Sequence, residues 1–227
     1  MRTIFFILLS CLPCLAQLRV HQVGFAPAIL KPATAAASFP SGATHYWKFQ
    51  NDLTDDVGSF DLSDSGAAYV AGKNGNALEC GDGVSANSDA NPMPTTVAFS
   101  IVVWIYPTAE STALVQSGSA GAITISGGAN WTATAGVTAD TLTGSAVTLN
   151  EWHLLVLTYD GSSVEKLSVD GGTFVTGTVT VEDVDGPLYF YGNEFPPRYD
   201  ECAFFTRALT QQEVNDIWNG GTGRFGP

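Results

Sequence analysis

The stretch YDECAFFTRALTQQEVNDIWNGG (Tyr199–Gly221) joins two patterns in one run. From Asp200 to Arg207 the residues alternate as a strand. Cys202 and Phe204 face one way, Ala203 and Phe205 the other. Both faces are apolar, so the strand is internal, with a layer packed on each side. From Leu209 the pattern changes to that of a helix. Thr210 is spaced to cap the amide of Glu213, and Glu213 to reach back to Thr210, which makes a capping box. Leu209 and Val214 sit where a hydrophobic staple needs them, and Ile217 and Trp218 continue the apolar side. Gly220 and Gly221 permit a left-handed exit. So short a helix must be held by tertiary packing, and Trp218 is the expected anchor. The acidic pair Asp200-Glu201 opens the apolar run and raises its own question.

Upstream, short apolar runs alternate with glycine and Asx turns. HYWKF begins the globular part near His45, and GKNGNALEC gives a turn followed by a strand from Ala77 to Cys80. VAFSIVVWIYP is β-branched, aromatic and apolar on both faces, so it is expected at the centre of a sheet. GAITISG, WTATAGV, EWHLLVLTYDG, EKLSVDGG, GTVTV and PLYFYG follow as further strands. Asp160-Gly161 and Asp170-Gly171 mark tight turns. Strands at this spacing imply an all-β fold of two packed antiparallel sheets, closed by the terminal helix.

Charge narrows the function. The chain of 227 residues carries 9 basic and 22 acidic residues, for a formal net charge of -13. No Lys or Arg occurs between Lys73 and Lys166. Such a stretch cannot track phosphates, which argues against nucleic acid and against anionic membrane surfaces as partners. The start, MRTIFFILLSCLPCLAQ, has a basic Arg2, an apolar core and a small-x-small motif at Cys14-Leu15-Ala16. It reads as a secretory signal over residues 1–16, too short to span a bilayer. A lipoprotein signal with Cys11 as the anchor is the second reading, and an uncleaved apolar arm the third. Residues 17–44 are rich in Ala, Pro and Ser and read as a linker or arm, able to pack on a neighbouring copy. If export removes Cys11 and Cys14, Cys80 and Cys202 remain, either as a disulfide or as two buried thiols.

In this order, HYWKFQNDLTDDVG, GKNGNALECGDG, FSIVVWIYP, WHLLVLTYDG, LSVDGG and YDECAFFTRALTQQEVNDIWNGG resemble the laminin-G-like jelly-roll domain of the concanavalin A-like lectin/glucanase superfamily. The resemblance covers residues 45–222, leaving 223–227 as a tail. It implies a jelly-roll sandwich and, in many members, extracellular display. It also implies a structural calcium held by positions matching Asp55 and Asp200, with Asp56 as a neighbouring oxygen donor. The alternative is that the Asp residues of this turn only bond their own backbone. Cys80 and Cys202 replace an aromatic and a β-branched residue of the family pattern, a joint departure that suits a bridge between them.

The superfamily includes glycoside hydrolases, whose paired carboxylates alternate on one strand. The nearest run here, VEDVDG (Glu182 to Asp185 inside it), lacks the last Glu and leads into a Gly-Pro turn, so no catalysis is expected. His153 lies inside an apolar strand and reads as a core histidine. A secreted, non-catalytic module for glycan or an extracellular surface is the first functional reading. Trp131 and the loop carrying Asn193, Phe195 and Arg198 are its candidate contacts. A structural, self-assembling extracellular or virion-surface protein is the second.

Overall fold

The computed structural model describes residues 37–88, 97–117, 123–136, 138–180 and 187–226. The expected signal, Cys11, most of the arm and the Glu182–Asp185 run lie outside the described residues.

The fold is a sandwich of two antiparallel sheets. The larger holds β10 (Thr138–Ala139), β14 (Val175–Thr180), β13 (Val164–Val169), β12 (His153–Tyr159), β6 (Phe99–Tyr106), β16 (Arg198–Phe205), β4 (Asn76–Glu79) and β3 (Ala68–Ala71), in that order, and β1 (Ala43–Trp47) also pairs with β16. The smaller runs β11 (Leu142–Ala146), β9 (Asn130–Ala135), β8 (Ile123–Gly127), β7 (Ser111–Ser117), β15 (Leu188–Tyr191), β5 (Ser85–Ser88), β2 (Leu62–Asp64). β6 and β16 sit side by side in the larger sheet, as their two apolar faces require. Their inward side chains, among them Ile101, Val103, Tyr199, Cys202 and Phe204, fill the core between the sheets. Their outward ones, Val102, Trp104, Ala203 and Phe205, form a second core under α1 (Gln211–Trp218).

The helix is capped as its sequence dictates. Glu213 N donates to Thr210 Oγ1 at 3.3 Å, and Thr210 N to Glu213 Oε2 at 2.8 Å. Leu209 and Val214 are buried, and Trp218 stacks on Trp104 with centroids 5.5 Å apart. The left-handed exit begins one residue before the glycines, at Asn219 (φ 47). The globular part also begins earlier than His45. β1 starts at Ala43, and Phe39 packs edge-on against Tyr46.

The two cysteines are free and buried, which corrects the disulfide expectation. Both face the core, but their register separates them. Arg198 pairs with Glu79 and Tyr199 with Leu78, so Cys80 lies opposite Pro197, whose carbonyl takes its N–H at 3.2 Å. Cys202 is five residues beyond Pro197, about 17 Å away at strand spacing. A disulfide needs Cα atoms within about 7 Å. Burial pushes the Cys80 thiol up to about 12, so it stays protonated.

Candidate functional site

The positions matching a calcium site do different work. Asp55 is buried, and its carboxylate is filled by N–H donors. Oδ1 accepts from the backbone of Tyr46, Val57 and Gly58 at 3.0, 3.2 and 2.8 Å. Oδ2 accepts from Phe60 N at 3.1 Å and lies 2.6 Å from His45 Nδ1. Burial pushes this carboxyl up, but the Gly58 amide, His45 and the other donors outweigh it and hold it below the usual range. Asp55 therefore closes its own turn. Asp56 is exposed, 3.5 Å from Lys48 Nζ.

Asp200 is fully buried. Its Oδ2 accepts from Asn74 N at 2.9 Å, and its Oδ1 has no hydrogen-bond partner. Burial and the neighbouring Glu201 push its pKa up to about 8. Glu201, at a bulge with φ 49, takes the Tyr46 hydroxyl on one oxygen and Asn74 Nδ2 at 2.6 Å on the other. Among the described residues no three His, Cys, Asp or Glu side chains gather as a metal-binding group. Asp55, with both oxygens bonded to N–H groups, does not fit a calcium cage, whereas Asp200 keeps one oxygen without a hydrogen-bond partner. A carboxamide ties the adjoining turns. Gln50 Nε2 donates to the carbonyls of Lys48, Asn74 and Asn76 at 3.1, 2.5 and 3.1 Å, and Gln50 Oε1 accepts from Asn76 N at 2.9 Å.

Trp131 is also removed from the candidate contacts. It is wholly buried, its ring 5.3 Å from His153. The reason lies in the alternation of β9, which turns Trp131, Ala133 and Ala135 inward and Thr132 and Thr134 outward. The small alanines make room for the large ring, a signal that was readable in WTATA. His153 is a core histidine, as expected. Its Nδ1 lies 2.7 Å from Asp170 Oδ2 and its Nε2 2.9 Å from Thr148 O. Burial alone would lower its pKa, but these two acceptors outweigh it and raise the value. Both nitrogens face acceptors, so the ring braces the Asp170 turn.

The loop before β16 brings the remaining three candidates to one end of the larger sheet. Phe195 is 56% exposed, the most exposed of the large hydrophobic side chains described. Asn193 shapes the turn beneath it, its Oδ1 accepting from Phe195 N at 2.8 Å. Thr108 Oγ1 pins the loop by donating to the carbonyls of Phe195 and Pro196 at 2.6 and 3.0 Å. Gly192 lets the loop lie against β4, since a Cβ there would collide with the carbonyl oxygens of Cys80 and Gly81. Arg198 then faces outward, its Nε 2.8 Å from Glu79 Oε2 and its guanidinium 5.0 Å from the Tyr106 ring centre.

Register makes this a line. Glu79 and Tyr106 are the two cross-strand partners of Arg198, and Trp152, just ahead of β12, packs 5.5 Å from Tyr106. Glu79, Arg198, Tyr106 and Trp152 are all half-buried and form one row across four adjacent strands. Sequence reasoning missed Glu79, Tyr106 and Trp152, because strand adjacency is not local. An aromatic surface flanked by a fixed ion pair and an exposed phenylalanine suits the recognition of a polar, ring-shaped ligand.

The chain was compared with known proteins. No curated protein matches it in sequence. Among solved structures, domain 4 of AbnA, an extracellular arabinanase from Geobacillus stearothermophilus solved with arabinotriose, is similar at a TM-score of 0.64 and 19% identity, over 77% of this chain and 97% of that one. The binding domain of Paraclostridial Mosquitocidal Protein 1 is similar at 0.64 and 15% identity, over 79% of this chain and 52% of that one. The binding domain of botulinum neurotoxin DC, solved with SialylT, is similar at 0.62 and 14% identity, over 81% of this chain and 52% of that one. The chain thus spans nearly all of the arabinanase domain and about half of each toxin domain. At these identities the likeness establishes the fold, a sandwich used in binding domains. A family model matches residues 74–215, well over half of the chain, and the protein belongs to that family, laminin-G-like domains of the concanavalin A-like lectin/glucanases superfamily.

Proposed function

We propose that this protein is a secreted, non-catalytic binding module that recognises glycan through the row Glu79–Arg198–Tyr106–Trp152 and the loop residue Phe195. The observation that carries the reading is the placement of an exposed Phe195 beside an outward-facing Arg198 that is fixed by both an ion pair and an aromatic ring. Aromatic faces take the apolar side of a sugar ring, and a held guanidinium or carboxylate orients its hydroxyls. The solved relatives support a binding role, since they are binding domains and one was crystallised with arabinotriose. The secretory pattern of residues 1–16 supports export.

Screening the purified protein on a glycan array, followed by calorimetry on the strongest ligand, tests the reading. Phe195→Ala and Arg198→Ala are expected to weaken binding at least about tenfold each. Phe195→Ala should leave the melting temperature unchanged, because the ring is exposed. Retention of full affinity by both variants, or no glycan bound at all, refutes the rim as a glycan site.

A further inference from the structure

One motif of the sequence takes no part in the rim. Asn130-Trp131-Thr132 has the Asn-x-Thr spacing of an N-glycosylation acceptor, with x other than proline. It is the only Asn-x-Ser/Thr triplet in the 227 residues, although the chain holds ten asparagines. Any N-linked sugar on this protein therefore reports on one position.

The alternation of β9 decides how the motif is displayed. Trp131 is wholly buried, so its neighbours Asn130 and Thr132 both face away from the core. Asn130 is exposed and opens β9 directly after the tip of the β8–β9 hairpin. At Gly128 in that tip an added Cβ would meet nothing within 4 Å. Asn130 and Thr132 line one shallow pocket of about 400 Å³, with Ser126 and Thr143. The Asn130 amide Nδ2 donates to Gly144 O, on β11, at 3.2 Å. That nitrogen carries two hydrogens, so replacing one by a sugar leaves the other for Gly144. The substituted side chain keeps its tie to β11, and no core contact changes.

We propose that Asn130 is a covalent modification site, which takes an N-linked oligosaccharide during export; the proposal rests on the secretory reading of residues 1–16. The donor class is an oligosaccharide carried on a polyprenyl diphosphate. Asn130 Nδ2 forms a bond to the anomeric carbon of the first sugar, and the bond from that carbon to the diphosphate oxygen breaks. The polyprenyl diphosphate leaves with the electron pair, and one Nδ2 proton passes to solvent. Nothing is oxidised or reduced. The Thr132 hydroxyl is the second element that the acceptor motif requires. Transfer takes place as the chain is translocated, so the fold has only to leave room for the product. The outward side of β9, the open hairpin tip and the spare N–H on Asn130 supply that room. An oligosaccharide at this corner also shields β11, the edge strand of the smaller sheet, whose Ser145 and Ala146 are exposed. Covering an edge in this way hinders its pairing with another chain.

Translation of the full chain with and without endoplasmic-reticulum microsomes, followed by protease protection and peptide-N-glycosidase treatment, is the test. A protected product heavier by one oligosaccharide is expected, and the glycosidase should remove the added mass and leave Asp at position 130. Asn130→Gln and Thr132→Val should each abolish the shift, whereas Thr132→Ser should retain it. The mass shift is read at translocation, so a variant that folds poorly still reports. A protected chain of unmodified mass refutes the modification and leaves the export reading standing. A chain left outside the microsomes refutes both. A shift that survives Asn130→Gln, or that resists the glycosidase, puts the added group elsewhere and overturns the proposal.

Discussion

Replacing Asp200 by Asn should remove much of the pH dependence of stability between pH 5 and 8. In the unfolded chain this carboxyl titrates near 4, and in the fold its pKa is raised to about 8. The folded state therefore holds the proton more tightly. The contribution to stability is full below about pH 4 and is lost as pH rises through about 8. Within that window each pH unit costs up to about 1.4 kcal/mol, or about 4 kcal/mol at most from pH 5 to 8. The Asn74 amide on Oδ2 favours the ionised form, so about 2–4 kcal/mol is the working range. For a domain of this size that is a fall in Tm of about 5–15 °C. Glu165, raised to about 7 by burial, and His153 act in the same direction. Lys73, lowered by burial, runs the other way at the alkaline end, so the readout stops at pH 8. Asn at position 200 keeps an oxygen for the Asn74 N–H. The assay is a series of thermal and urea melts of wild type and Asp200→Asn at half-unit steps. A flatter profile in the variant is expected. Identical slopes, or a wild type that gains stability from pH 5 to 8, would refute the argument.

Two further outcomes follow from the same geometry. Gln50→Ala removes the cross-link to three carbonyls and should cost about 1–3 kcal/mol in chemical denaturation, while EDTA leaves the wild-type Tm unchanged; a Tm that falls in EDTA would contradict the assignment of Asp55 to internal bonds. Alkylation in denaturant without reductant, followed by peptide mapping, should label both Cys80 and Cys202, and recovery of a disulfide-linked peptide pair would overturn the register that separates them.

The buried acidic pair shows why local reading stops where it does. The resemblance implied Asp200 as an ion ligand, because it matches the acidic residue that opens the family's last strand. In the fold a backbone amide from the turn at Asn74 meets one of its oxygens, and burial favours a retained proton. Neither is visible at a distance of 126 residues along the chain. Asp55 was misread for a related reason. Its turn is rich in Asx, but only the folded geometry shows that five N–H groups already occupy both oxygens. Trp131 and the Asn193–Arg198 loop began as equal candidates. The alternation of β9 sends the first into the core, whereas Gly192 and Thr108 hold the second at the rim.

Alternation and capping are local properties, and the sequence settled them alone. The opposite faces of Phe204 and Phe205, the central place of β6, the capping box on Thr210 and the anchoring Trp218 were all legible, because strand period and helix termini are fixed by neighbours a few residues away. Cross-strand register is not local. It aligned Glu79, Arg198, Tyr106 and Trp152 into a row, and held Cys80 and Cys202 apart. Those relations depend on which strands lie side by side, and only the packing of the whole sandwich decides that.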